Sequence, residues 1–315
     1  MHARAMLVSL RVSSWAATKD DKAIAQHVAA THNASGDAGK YTKNLLPGSE
    51  FEVPAAAKSS KARASAAVAT VNKANSHKAL IQHIAAVRVK YYAMTLPWSD
   101  DGWRLLPIKN YQSFAAFVRE SQHTFDTLLA EFERDYPALR ELARKLLNGM
   151  FREDDYPTVI AAKFKFGCEY SPVPSGTDFR VTLADAEIAA IAKSTEERVA
   201  QGFRDAQADA VKRLYETLAR IRETLATGNP NRKDGMKTFK DTLIGNARKV
   251  CDALKTLNLT DDPELEKYRR EAELLAVSEP ETLREVPAVR AETAARAQSI
   301  LDAMTATYGK GMFSK

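Results

Sequence analysis

Ile188, Ile191, Val199, Phe203, Ala206, Ala210, Leu214, Leu218, Ile221 and Leu225 recur mostly at steps of three and four residues. That spacing is the period of one helix face. Steps of three alternating with steps of four give the seam of a coiled-coil-like helix. Met236, Phe239, Leu243, Ala247, Val250, Leu254 and Leu257 make a second stripe after the break ATGNPNRKDG. Two such stripes predict an antiparallel helix pair joined at Asn229–Pro230.

The same period runs through residues 108–149, at Phe114, Phe117, Val118, Phe125, Leu128, Leu129 and Phe132. Asp135–Tyr136–Pro137 interrupts it, because proline suits a first helical turn and not a helix interior. Leu139, Leu142, Leu146 and Leu147 resume it, and Gly149 is the expected left-handed C-cap. The alanine- and lysine-rich stretch from 55 to 94 predicts one further long helix. Thr260 or Asp261 is expected to cap a helix with Pro263 in its first turn. A final helix is expected over 285–305, with Pro287 early, followed by a frayed GKGMFSK end.

One stretch changes period. Phe164, Phe166, Cys168 and Tyr170 alternate, Ser171–Gly176 supplies turn residues, and Phe179, Val181 and Leu183 alternate again. This predicts a β-hairpin over 163–183, the one convincing β signal, packed on the helices. Residues 6–15 suggest an edge strand or irregular lead-in, with Leu7, Val12 and Trp15 as core candidates. A short helix capped by Asp20 or Asp21 should follow, and then a loop over SGDAGKYTKNLLPGSE. The fold expected is mainly α: long antiparallel helices with a small β-hairpin. It divides into an N-terminal segment 1–53, a helical region 54–158, the hairpin 159–184 and a C-terminal bundle 185–315.

YYAMTLPWSDDGWRLLP, residues 91–107, separates two of the helices. Residues before proline avoid helical geometry, so the chain should leave one helix near Thr95 and enter the next after Pro107. Trp98 and Trp103 suit a hydrophobic corner. Tyr91 and Tyr92 point in different helical directions, so one is expected buried and the other exposed. A stacking platform for a base is the competing expectation.

The 315 residues carry a net charge of +6. From Pro54 to Lys90 the bases Lys58, Lys61, Arg63, Lys73, Lys78, Arg88 and Lys90 occur with no acid. With Tyr91 and Tyr92 they form a candidate nucleic-acid-binding set, though a solvated helix face is the leading explanation of the charge. No apolar run reaches the ~18 residues of a membrane-spanning helix, and the short apolar patch at the start is broken by Arg11, so a secretory signal is not expected. Cys168 and Cys251 are too few for a disulfide framework, which fits a reducing cytoplasm.

Recognisable catalytic patterns are absent. There is no HExxH, CxxC, phosphate-binding loop, dinucleotide fingerprint or nucleophile elbow. His77 and His83 are six apart, a poor chelating pair on a helix, and Cys168 is expected to be a buried apolar residue. The acids Asp100, Asp101, Glu153, Asp154 and Asp155 are candidates for a metal-assisted site only if their two clusters converge. No catalytic, cofactor-binding or metal-binding residue is assigned, and no cofactor is expected.

LVSLRVSSWAATKDDK, DAGKYTKNLLP, TLPWSDDGWRLLPIKNY, DYPALRELARKLLNGMFREDDYP, PVPSGTDFRVTL and NLTDDPELEKYRRE occur in this order. Together they resemble a phage and prophage protein family of unknown function. The resemblance covers nearly the whole chain. Some members are encoded near AAA-type ATPases and proteins with metal-dependent adhesion modules. That implies a partner-dependent role in a phage or mobile-element process in the bacterial host cytoplasm, with an AAA-type ATPase complex as a partner; the long helices and the absent catalytic constellations themselves point to noncatalytic interaction or scaffolding. The alternatives are a DNA- or RNA-binding protein and a metal-assisted enzyme. The basic stretch near 54–80 departs from the family's shorter, less basic connection, so a nucleic-acid role resting on it would be peculiar to this chain.

Overall fold

Leu7, Val8 and Ser9 are buried in succession along strand β1, Ala5–Ser13. Consecutive burial means that both faces of the strand are covered. β1 accordingly lies inside a four-stranded sheet of order β4-β5-β1-β6, with β4 at Leu96–Pro97, β5 at Arg104–Pro107 and β6 at Lys165–Ser171. The edge-strand expectation for residues 6–15 is therefore corrected. β1 and β5 run antiparallel, with Leu7 opposite Leu105 and Ala5 opposite Pro107. This structure, a computed structural model, describes residues 2–21, 31, 42–46, 76–98, 102–176, 185–226, 242–277 and 279–313.

The fold is mainly α-helical with small antiparallel β elements. Its contacts define two units. One comprises residues 1–10, 90–116 and 168–315; the other comprises 11–89 and 117–167. Each draws on stretches far apart in sequence, which a division along the chain does not express.

In the second unit, Thr18–Asp20 (β2) pairs antiparallel with Thr42–Asn44 (β3). Asp20 ends β2, the helix start that Asp20 or Asp21 is expected to cap lies outside the described residues, and part of the expected loop is strand. Thr18 and Thr42, β-branched residues, suit the extended backbone at opposite corners of the hairpin. Of the short helix expected after Asp21, only Thr31 is described, and it is helical. Leu80 and Ile84 of helix α1 (Ser76–Met94) meet Phe125, Phe132, Tyr136, Leu139 and Ala143 of helix α2 (Tyr111–Leu147) in one core. Val12 and Trp15 are half-buried against it.

α2 runs without a break through Pro137, contrary to the expected interruption. An interior proline costs roughly 3 kcal/mol. Phe132, Tyr136, Leu139 and Ala143 keep one continuous buried face across it, each large apolar side chain contributing about 1.5–3 kcal/mol. The Tyr136 hydroxyl also donates to the Pro157 carbonyl at 3.0 Å. The left-handed residue after α2 is Asn148, φ 46°, not Gly149, which sits in a 3-10 turn. Asparagine tolerates that conformation because its short polar side chain bonds locally.

The first unit holds the long helix α3 (Asp185–Ala226), α4 (Thr242–Leu257), α5 (Pro263–Leu275), α6 (Pro280–Glu285) and α7 (Pro287–Tyr308). Val199, Phe203, Ala206, Ala210, Leu214, Leu218, Ile221 and Leu225 of α3 are all buried, as their spacing predicts. Ile244, Ala247, Cys251, Leu254 and Leu257 of α4 join the same core, while Met236 and Phe239 lie outside the described residues. So do the expected Asn229–Pro230 turn and the second arm of the expected hairpin at 179–183.

β6 confirms the first hairpin arm, but it is one of six described strands rather than the single β element. Tyr170 is 42% exposed while Cys168 is half-buried, so their alternation is only partly a burial pattern. Asp262, one residue past the expected caps, accepts from the backbone N–H of Glu264 and Leu265 at the start of α5. The C-terminal end is not simply frayed: Phe313 stacks on Tyr215 with ring centroids 3.9 Å apart.

Candidate functional site

The Trp–Pro corner is a packed part of the first unit. α1 ends at Met94, and the chain then forms the β4–β5 pair before α2, so the interhelical connection is itself sheet. Leu96, Leu105 and Leu106 are fully buried, and Trp98 and Trp103 pack on the core. A Cβ at position 202 would come within 2.5 Å of the Trp98 ring, so α3 needs glycine there.

Tyr91 is buried, and its hydroxyl donates to the Val8 carbonyl at 2.9 Å. Burial pushes its phenol up to about 12. It is a core residue and not a stacking platform, which corrects its candidate role. Tyr92 is 53% exposed, but the Arg104 guanidinium sits 4.7 Å from its ring centroid. A base stacking on that face would have to displace Arg104.

Lys78, Arg88 and Lys90 are exposed on α1. At about 100° per residue they leave the helix in three directions rather than along one strip. Arg88 also donates to the Val12 carbonyl at 3.1 Å. Lys58, Lys61, Arg63 and Lys73 lie outside the described residues.

Two of the acidic candidates, Glu153 and Asp155, are bound up with the chain's own cations, while Asp154 between them is exposed. Glu153 accepts from Arg140 and, at 2.9 and 3.0 Å, from Arg144. Asp155 is buried between Lys19 and Lys43, with Lys43 Nζ 2.7 Å from Oδ2. Burial alone would raise its pKa; hydrogen bonds from the two lysines outweigh burial and hold it low. Asp100 and Asp101 lie outside the described residues. Among the described residues no group of three or more His, Cys, Asp or Glu side chains could hold a metal ion. His77 and His83 each donate from Nε2 to a carbonyl, of Trp15 and Ser121 respectively, both at 2.9 Å. Burial lowers the His77 pKa, so it packs as a neutral ring.

What remains open is a groove of about 570 Å³ in the first unit, between α3 and α4. Arg213, Thr217, Arg220 and Thr224 form its α3 wall. Thr242, Asn246, Lys249 and Ala253 form its α4 wall. Both sets follow i, i+4, i+7, i+11, the spacing of one helix face. Leu243, Val250, Leu254 and Leu257 give it an apolar floor, of which Leu243 and Val250 are only half-buried. Eleven helical steps make each wall roughly 16 Å long.

Arginine fixes one end of the groove. Arg213 pairs with Asp209 at 2.7 Å and donates to the carbonyls of Tyr92 at 3.1 Å and Thr95 at 2.9 Å. Arg104 donates to the Thr95 carbonyl at 3.2 Å and to its hydroxyl at 2.7 Å. Two guanidiniums thus close the negative end of α1. Burial and then the charge of Arg213 lower the Arg104 pKa. Arg220 and Lys249 stand exposed on opposite walls, and Glu216 is the one acid among the described residues of the lining. None of these groove residues stands out when the stripes are read only for apolar spacing. The signal is the polar repeat on the neighbouring face.

The chain matches no family model, no curated protein and no solved structure. No described helix is long and apolar enough to cross a membrane.

Proposed function

We propose that this chain is a noncatalytic protein-interaction module, an adaptor or scaffold, and that it docks its partner in the α3–α4 groove. The observation that carries this reading is the partly uncovered apolar floor between two walls of one helical period. Such a trough suits the helix-in-groove mode of recognition. The resemblance to phage and prophage proteins supplies the setting, and an AAA-type ATPase complex is the partner that setting suggests. The test is a pull-down from phage-infected or prophage-bearing bacteria, comparing the native chain with Val250→Asp in nuclease-treated lysate. A protein partner retained by the native chain and lost with Val250→Asp supports the reading. Equal capture by both chains removes the groove.

The exposure of Lys78, Arg88 and Lys90 favours a second reading, nucleic-acid binding. It predicts affinity that falls steeply with salt as counterions are released. Binding unchanged by Lys78→Glu with Arg88→Glu would end it.

A further inference from the structure

We propose that the occupant of the groove is an acidic amphipathic helix of about three turns, supplied by another protein. This rests on the groove being a protein-docking surface. The walls set the length, since twelve residues of α3 face twelve of α4 over roughly 16 Å. The floor sets the apolar face: Leu243 and Val250, seven residues apart, are half-buried, and a helix with apolar residues at i, i+3 or i+4 and i+7 would cover them.

The rim sets the charge. Among the described residues Arg220 and Lys249 stand exposed on opposite walls against Glu216, while Arg213 is held by Asp209 and by backbone carbonyls. Acidic side chains flanking the occupant's apolar stripe meet this rim favourably, and basic ones meet repulsion. A phosphate backbone would satisfy the rim and leave the floor uncovered. The linking segment 227–241 is of the wrong sign: Arg232, Lys233, Lys237 and Lys240 outnumber Asp234 and Asp241. The stretch 47–75 has the same bias, with Lys58, Lys61, Arg63 and Lys73 against Glu50 and Glu52. Neither of these two stretches matches the rim.

The experiment is fluorescence anisotropy on the full chain with four labelled probes. They are a designed amphipathic peptide of leucine, alanine and glutamate, its lysine-for-glutamate counterpart, a scrambled glutamate peptide and a short oligothymidylate. The glutamate peptide should bind best. Arg220→Glu with Lys249→Glu should weaken it by about ten-fold and strengthen the lysine peptide, a shift that added salt reduces. Val250→Asp should abolish it while the circular dichroism of the chain is unchanged. Equal binding of both charged peptides, lost in Val250→Asp, would overturn the acidic occupant and leave the docking groove standing. Oligothymidylate binding lost in Arg220→Glu with Lys249→Glu, with no peptide bound, would overturn it in favour of nucleic acid. No probe bound, with a pull-down indifferent to Val250→Asp, would remove both the inference and the function it rests on.

Discussion

Arg213 of α3 donates to the backbone carbonyl of Thr95 at 2.9 Å, just past the C-terminus of α1. One residue thus ties the groove wall to the β4–β5 corner. Arg213→Ala removes this bond, those to the Tyr92 and Ala93 carbonyls and the Asp209 pair. Charge-assisted bonds of this kind contribute about 1.5–3 kcal/mol, so urea unfolding should show a loss in that range. Arg213→Lys should recover only part of it, because an ammonium cannot reproduce the fork. Full recovery by lysine would show that charge alone matters there.

The contact of Trp98 with Gly202 predicts a steep local penalty. Gly202→Ala puts a Cβ inside the ring's van der Waals envelope and should cost about 1–3 kcal/mol. Combining it with Trp98→Leu should be less than additive in a double-mutant cycle. Strict additivity would mean that the ring and position 202 do not meet.

Asp155 and Lys43 are the most deeply buried ion pair described, with side chains 1% and 5% exposed. Asp155→Asn leaves Lys43 with Asp21 at 3.7 Å as its remaining carboxylate and should cost about 3 kcal/mol. Replacing both partners, as Asp155→Leu with Lys43→Met, should be milder than Asp155→Asn. Chemical denaturation that ranks the double variant as the worse would contradict the pairing.

Glu266 predicts a pH window. Its hydrogen bond from Arg269, against burial and helped by Arg270, pulls its pKa from 4.5 to about 2. A depressed carboxylate contributes stability that is complete above the unfolded value and lost as pH falls through the folded one. The stability difference between the native chain and Arg269→Met should therefore be constant above pH about 5 and shrink toward pH about 2. Thermal melts across that range check it; a gap that stays constant down to pH 2 would rule the linkage out.

The helices were legible because burial imposes a period, and Val199 to Leu225 announce their shared face by spacing alone. Pro137 was misread because a local rule was outweighed by the continuous face from Phe132 to Ala143. β1 was misplaced as an edge because its neighbour β5 lies about a hundred residues on, and pairing at that distance leaves no local mark. Asp155 stands in the sequence as one of three adjacent acids, and its partners Lys19 and Lys43 come from β2 and β3 more than a hundred residues earlier, a pairing that leaves no local mark. The groove was invisible for the opposite reason: its floor is apolar and was read as core. Only the packing of α3 on α4 shows Leu243 and Val250 left half-covered.

The most direct measurement is photocrosslinking from two positions in phage-infected or prophage-bearing bacteria. One carries p-benzoylphenylalanine in place of Asn246, inside the groove; the other carries it in place of Arg296, exposed on α7. A discrete protein adduct from position 246 and none from 296, with an acidic helical segment at the crosslinked site, is the result predicted. Adducts of equal yield from both positions, or from 296 alone, would contradict docking in the groove.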